Sequence, residues 1–267
     1  MAARGFFSYW LLPVVSSLVW LGMLLGMLLH WIVDTHRRIY PTMDRGGTIA
    51  YISDIGAQQL KPLFIAGSAV TVVLLDLAFF AERWLRHRGR LVRNQSSGER
   101  ALVWLSILFA IVGAAGLILL SIFDTWRHPR AHDVFLLLFI GGYWLSAVFI
   151  CWEYQRLGIK NRQHRILRSS FWIKLAFIMV ELVLAIVFVS TTFTHNNNVA
   201  AVFEWAVAFI FTFYVASFII DLKPAIHTKS HAARFEKTHH LEDALPANGH
   251  SAVNGDGFVA GRNGRHL

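Results

Sequence analysis

Six runs of about 20 apolar residues divide this chain, each long enough to carry a helix across a hydrocarbon core. They cover about 9–33, 62–81, 101–122, 133–151, 171–190 and 199–220. The pattern predicts an all-α fold, a polytopic bundle of six transmembrane helices over residues 1–222. Residues 223–267 are rich in His, Asn, Gly, Ala and Ser. Few large apolar groups occur there, so burial cannot offset the entropy of ordering, and a disordered tail is expected.

The polar connections orient the bundle. Arg83, Arg86, Arg88, Arg90, Arg93 and Arg100 lie between the second and third runs, and Arg156, Lys160, Arg162, Arg165 and Arg168 between the fourth and fifth, with Lys174 just inside the latter. The positive-inside rule puts both connections in the cytosol, and an even number of spans puts both termini there too. On that assignment 19 of the 25 Lys and Arg residues are inside and six outside. Trp10, Trp84, Trp104, Trp152 and Trp172 fall at inner ends and Trp31, Trp126 and Trp205 near outer ends, as interfacial belts require. The net charge of +9 therefore concerns a membrane surface, and no nucleic-acid partner is expected. Two readings of the basic blocks stand: topology signals alone, or attraction to anionic inner-leaflet lipid, worth about 1 kcal/mol per residue near the surface.

Smaller features fit the same frame. Arg4 precedes an apolar run too long for a signal peptide, with no small-residue cleavage site before Trp31, so an uncleaved signal anchor is expected. Pro13 sits in the first turns of that run, and Gly22 with Gly26 offers a small face for close helix contact. Asn94-Gln95-Ser96 matches a glycosylation acceptor but falls in a connection assigned to the cytosol. Cys151 is the single cysteine, so no intrachain disulfide exists; it is either packing or a palmitoylation site.

Ionisable groups inside spans are costly and are functional candidates by default. Asp76, Glu181 and Glu204 are such groups, placed in the inner half, the middle and the outer third. Lys174 and Glu153 lie near enough to an end to snorkel. On the outer side Asp124, His128 and His132 recur every four residues, followed by Asp133. Pro129 interrupts the register: it is best placed at the first position of a helix, which leaves His128 in the turn and only His132 helical. His195 and Glu204 approach the same face. Three readings remain for this set: a metal site, a headgroup or protonatable site, or plain interfacial polarity. The first outer connection carries Tyr51-Ile52-Ser53-Asp54-Ile55-Gly56-Ala57 before Lys61-Pro62, where Ser53 or Asp54 can cap a short turn and Gly56 can supply a positive φ. No GxSxG nucleophile motif is present, no cofactor is called for, and the oligomeric state is left open.

Three segments together, YISDIGA between spans one and two, FDT with the following His128 and His132, and VFEW early in span six, resemble the FRAG/DRAM/SFK family of six-span proteins, relatives of the CWH-type N-terminal domain. The resemblance covers about residues 8–222, and the polar tail and basic loops look most like its SFK branch. It implies a non-enzymatic regulator or scaffold at the plasma membrane that links lipid composition to phosphoinositide kinase localisation. The implied partners are membrane lipids and a phosphatidylinositol 4-kinase complex met through the tail. Other branches imply a Golgi factor remodelling GPI-anchor lipid, or an endolysosomal autophagy modulator. An enzyme using Asp54, Asp124, His128, His132 and Glu204 for ester chemistry, and a lipid transporter using Asp76, Glu181 and Glu204, are the readings to weigh against it.

Overall fold

The computed structural model describes residues 8–88, 90–91, 97–160 and 165–223, with the side chains of residues 160, 165 and 166 excepted. The expectations for Arg93, Arg162, the side chains of Lys160 and Arg165, Asn94-Gln95-Ser96 and the tail beyond Lys223 lie outside the described residues. Helix α1 (Leu11–Leu29) ends in a π-helical turn (His30–Asp34). Then come the short α2 (Ile52–Gly56), α3 (Lys61–His87), α4 (Ser97–Ile122), α5 (Pro129–Lys160), α6 (Arg165–Phe193) and α7 (Asn197–Leu222). Six of these are long and apolar enough to cross a membrane, and no strand occurs among the described residues.

Pro129 opens α5 and leaves His128 in the turn, because proline presets the first-turn φ and has no N–H to orphan there. Helices α3 and α5 continue well past the apolar runs, to His87 and Lys160. Hydropathy stops where charge begins, but the helix does not, since the added charges pair with one another.

Each long helix packs on its neighbours in sequence, α1 on α3, α3 on α4, and so on to α7, which returns to α1 and closes a ring. The interior is aromatic. Trp20 meets Phe211 edge-on, Phe211 touches Phe139, Tyr143 and Tyr214, and Tyr214 reaches Phe218. Lipid offers no hydrophobic drive between helices, so van der Waals fit and interhelical hydrogen bonds hold such a ring. Trp20 donates to the Ala208 carbonyl at 2.8 Å, Ser16 to Thr71 at 2.8 Å and Ser146 to Ser106 at 2.8 Å.

The close helix approach lies elsewhere than Gly22 and Gly26. A Cβ at Gly22 would meet nothing within 4 Å, and one at Gly26 only Leu63 at 3.7 Å. The intimate contact is α4 on α5, where a Cβ at Gly116 would lie 2.5 Å from the Phe139 nitrogen and one at Gly142 2.5 Å from that of Gly113. A small-residue pair needs a closely facing helix; Gly22 is exposed, and Gly26 meets only the Leu63 side chain of α3. The ring has two unlike ends: a long-loop end with residues 35–60 and the α4–α5 and α6–α7 turns, and an arginine-rich end with the termini of α3, α5 and α7.

Candidate functional site

At the long-loop end, α7 fastens the first loop. Asn198 Oδ1 accepts the Thr48 N–H at 2.6 Å and the Ile49 N–H at 3.0 Å, and Trp205 Nε1 donates to the Ala50 carbonyl at 3.0 Å. One turn along, Glu204 Oε2 accepts the Ile52 N–H at 2.7 Å, and the same carboxylate takes the Ser53 N–H. These are the first donors of α2, orphaned within their own helix, and a carboxylate suits them in both hydrogen bonding and dipole. Buried Asp54 bonds back to the Tyr51 N–H at 3.0 Å, the acidic half of a capping box. Burial pushes the Asp54 carboxyl above its usual range, with Asp44 adding to the shift and the Tyr51 N–H opposing it. Gly56 is helical rather than positive in φ; its lack of a side chain admits Phe64, whose ring a Cβ would meet at 2.5 Å. The positive φ values in this loop belong to His36, Arg37 and Gly46, at 52°, 60° and 84°.

Asp124, His128 and His132 form a separate group. Asp124 is bridged by Lys61 Nζ at 2.5 Å and accepts the Arg127 N–H at 2.8 Å. Burial raises its carboxyl, but the Lys61 bond, the Arg127 N–H and both positive charges outweigh that and hold it below the aspartate range. His128 lies edge-on to Phe123, and buried His132 places Nδ1 3.0 Å from the Phe123 carbonyl. His195 is exposed at a turn with φ 57°. The structure thus parts the outer set into the Ser53–Asp54–Glu204 clasp, the Asp124–His128–His132 turn and an exposed His195. Among the described residues no three His, Cys, Asp or Glu side chains are grouped to hold a metal ion.

Deeper in the ring, Asp76 accepts from the Tyr143 hydroxyl at 3.3 Å. Glu181 and Glu204 line a common cavity that Asp76 does not reach. Trp31 and Trp205, placed by sequence in an interfacial belt, are buried and bonded to loop carbonyls, Trp31 to that of Arg38 at 3.1 Å. Trp84, Trp104, Trp126, Trp152 and Trp172 are exposed as a belt demands.

The arginine-rich end carries the densest polar network. Arg83 bridges Glu153 at 2.7 Å, Arg86 bridges Glu82 at 2.7 Å, and the Tyr154 hydroxyl donates to Glu82 at 2.5 Å. Arg86 also lies 5.1 Å above the Tyr154 ring. Lys174, buried, pairs with Asp221, which also accepts from Ser170. Arg83 and Arg86 therefore turn inward to carboxylates, whereas Arg88, Arg156 and Arg168 are exposed and Arg90 half-buried. Arg88 stacks on Trp84 at 4.5 Å and Arg156 on Trp152 at 5.3 Å. Between α3 and α4, beside Tyr9 and Leu12, a groove of about 1210 Å³ is lined along α3 by Leu77 and Phe80, then Arg83 and Trp84, then Arg86 and His87, and on α4 by Ile107, Trp104 and Arg100.

The Frag1/DRAM/Sfk1/Cwh43P N-terminal domain family matches residues 8–225. The chain belongs to this family. Protein sfk1 of Schizosaccharomyces pombe is 31% identical over 234 residues, covering 86% of this chain and 68% of that protein. Protein SFK1 of Saccharomyces cerevisiae is 27% identical over 175 residues, covering 55% of this chain and 49% of that protein. No solved structure matches the chain.

In this Frag1/DRAM/Sfk1 member, the YISDIGA and VFEW segments are two halves of one clasp, joined by the Glu204–Ile52 and Trp205–Ala50 bonds. The FDT segment is a second fastening, with Asp124 drawing Lys61 of α3 to the α4–α5 turn. Residues that sequence reasoning did not single out as sites are Lys61, Glu82, Tyr154 and Asp221. Glu82 and Arg86 had a local signal, the (i, i+4) spacing that places opposite charges on one helix face. The other three had none, because their partners are on other helices.

Proposed function

We propose that this integral membrane protein is a non-enzymatic regulator at the plasma membrane. It engages anionic inner-leaflet lipid at its arginine-rich end and so links lipid composition to phosphoinositide kinase localisation and lipid homeostasis. In this reading the arginine-rich end faces the cytosol, as the excess of Lys and Arg favours. Contact with a phosphatidylinositol 4-kinase complex falls to the 223–267 tail.

The observation that carries the proposal is the α3–α4 groove. Along α3 and α4 its lining passes from Leu77, Phe80 and Ile107 through Trp84 and Trp104 to Arg86, His87 and Arg100, the order of chain, interface and phosphate in a phospholipid. Glu82 and Glu153 offset Arg83 and Arg86, so the net positive charge comes from exposed Arg100 and from Arg88 on Trp84. Arginine suits phosphate because its planar fork offers paired donors. The engagement of Asp54, Glu204, Asp124 and His132 with loop backbone favours holding structure over turning over a substrate.

Deleting the gene is expected to lower plasma-membrane phosphatidylinositol 4-phosphate and to displace the kinase. Re-expressing a chain with Arg88→Gln and Arg100→Gln is expected to restore both less than the parent chain does at equal abundance in the same membrane. Unchanged lipid and unchanged kinase location after deletion refute the proposal.

A further inference from the structure

A cavity of about 410 Å³ opens inside the ring, walled chiefly by α5, α6 and α7. Its volume falls within the range of about 300–1,000 Å³ common to small-molecule pockets. On α6 its lining runs from Phe177 to Ser190, about 20 Å of helix axis at the α-helical rise, so the space is long and narrow. Apart from Glu181, Glu204, Ser190, the indole nitrogens of Trp20 and Trp144, and the hydroxyls of Tyr143 and Tyr214, its lining side chains are hydrocarbon. Leu137 of α5 and Ile186 of α6 both line it and are exposed on the outside of the ring, so it opens sideways between these two helices. Helix α6 is the least buried of the six long helices.

Two features at one depth say what the space takes. Trp144 of α5 donates to the Ile178 carbonyl of α6 at 3.4 Å, which sets the register of this pair. Helices α5 and α6 run in opposite directions, so Gly141, three residues before Trp144, is level with Glu181, three residues after Ile178. Gly141 lines the cavity, and a Cβ placed there would meet nothing within 4 Å, whereas Gly142 beside it is demanded by the backbone of α4. Glycine in a helix costs about 1 kcal/mol relative to alanine, and no protein contact recovers it at Gly141. Glu181 also lines the cavity, and its Oε1 is without a hydrogen-bond partner. A doorway and a carboxyl group with an unmet acceptor therefore share one depth.

We infer that this space binds one hydrocarbon chain of a membrane amphiphile whose polar part carries a hydroxyl or amide N–H. The chain enters sideways past Gly141 and the donor bonds to Glu181. The site lies apart from the α3–α4 groove, so either assignment can fail alone.

The test uses the full chain in phosphatidylcholine nanodiscs, with a diazirine-bearing monopalmitoyl glycerol as probe and its di-O-methyl ether, which has no donor, as comparison. Labelling by the glycerol form is expected on cavity-lining peptides of α5 and α6. Gly141→Leu and Ala185→Phe, which fill the space, are each expected to cut it about tenfold at unchanged helix content. Glu181→Leu is expected to cut labelling by the glycerol form about tenfold, the scale of one hydrogen bond to a carboxyl, and to leave the ether unaffected. Labelling that survives both filling variants overturns the proposal, as does equal labelling by probe and ether in the parent chain. Association with another transmembrane helix that the same variants abolish, without lipid labelling, would make the seam a helix-docking site and also overturn it. Should one filling variant fail to fold, the other and Glu181→Leu still decide.

Discussion

Replacing Lys174 by Met leaves Asp221 buried at the arginine-rich end with the Ser170 hydroxyl as its remaining hydrogen-bond donor. Both ionic groups of the pair have side chains 1% exposed, so neither leans on water for compensation. Lys174 also sits 4.2 Å above the Phe218 ring and 5.1 Å above Tyr154, contacts that Met keeps as packing but not as cation–π attraction. Removing one partner of a buried pair costs about 3–5 kcal/mol, because the other charge is left uncompensated. Lys174→Met is therefore expected to destabilise the protein by about that amount, and Asp221→Leu likewise. The double variant removes both charges and is expected to recover to within about 2 kcal/mol of the parent chain, since apolar replacement of a whole buried pair is often neutral. The assay is reversible unfolding in mixed micelles by titration with dodecyl sulfate, read by far-ultraviolet circular dichroism as a double-mutant cycle. A Lys174→Met cost below about 1 kcal/mol, or additive costs in the double variant, would falsify the view that this pair is a closed unit.

Three further outcomes follow from the same geometry. Glu204→Ala orphans the Ile52 and Ser53 N–H groups, each worth about 1–3 kcal/mol if left unpaired, so hydrogen exchange over residues 48–57 should accelerate while α4 and α5 stay protected; uniform exchange across the molecule would refute the clasp. Asp124 is held below the usual aspartate range, so its stabilisation is full above that range and lost as pH falls through its folded value. Lys61→Met removes the main lowering partner and leaves burial to raise the carboxyl, so the acid-side loss of stability that Asp124 causes should shrink or reverse and the variant's deficit against the parent should narrow as pH falls; a deficit that stays the same at every pH refutes the bridge. Gly142→Ala should cost about 1–3 kcal/mol by driving a methyl into the Gly113 backbone, whereas Gly22→Ala should be neutral or slightly stabilising; equal effects on melting in detergent would refute the α4–α5 contact.

The sequence was legible wherever the deciding physics was local. Hydropathy located six helices because the requirement for about 20 apolar residues belongs to each segment alone. Pro129 announced the start of α5 because proline acts on its own φ and on its predecessor. The apolar runs underestimated α3 and α5 because charges that pair across the ring do not end a helix. Gly22 and Gly26 misled because a glycine pair is a close contact only when a helix presses on it, as α1 does on Gly67 through Met23 and as α4 and α5 do on each other at Gly113, Gly116 and Gly142. The outer acidic and histidine residues looked like one set because spacing says nothing about which loop closes on which helix. Only the return of α7 to α1 brings Glu204 under Ile52 and leaves Asp124 to Lys61.

The two ends use carboxylates for opposite purposes, and this difference bears on where lipid is met. At the long-loop end Glu204, Asp54 and Asp124 each accept backbone N–H groups, so negative charge is spent on shaping loops. At the arginine-rich end Glu82, Glu153 and Asp221 accept from Arg83, Arg86 and Lys174, which lets those cations lie inside a helical ring without facing lipid hydrocarbon. With the inner cations balanced, the outer ones decide the surface. Arg88, Arg100, Arg156 and Arg168 are exposed there, and two of them lie flat on tryptophans of the interfacial belt. On the proposed lipid-engaging reading, a guanidinium already held over an indole would lose less ordering entropy on meeting a phosphate. The interior network thus supports the rim: without Glu82 and Glu153, Arg83 and Arg86 would be buried charges without compensation and would destabilise the ring that presents Arg88 and Arg100.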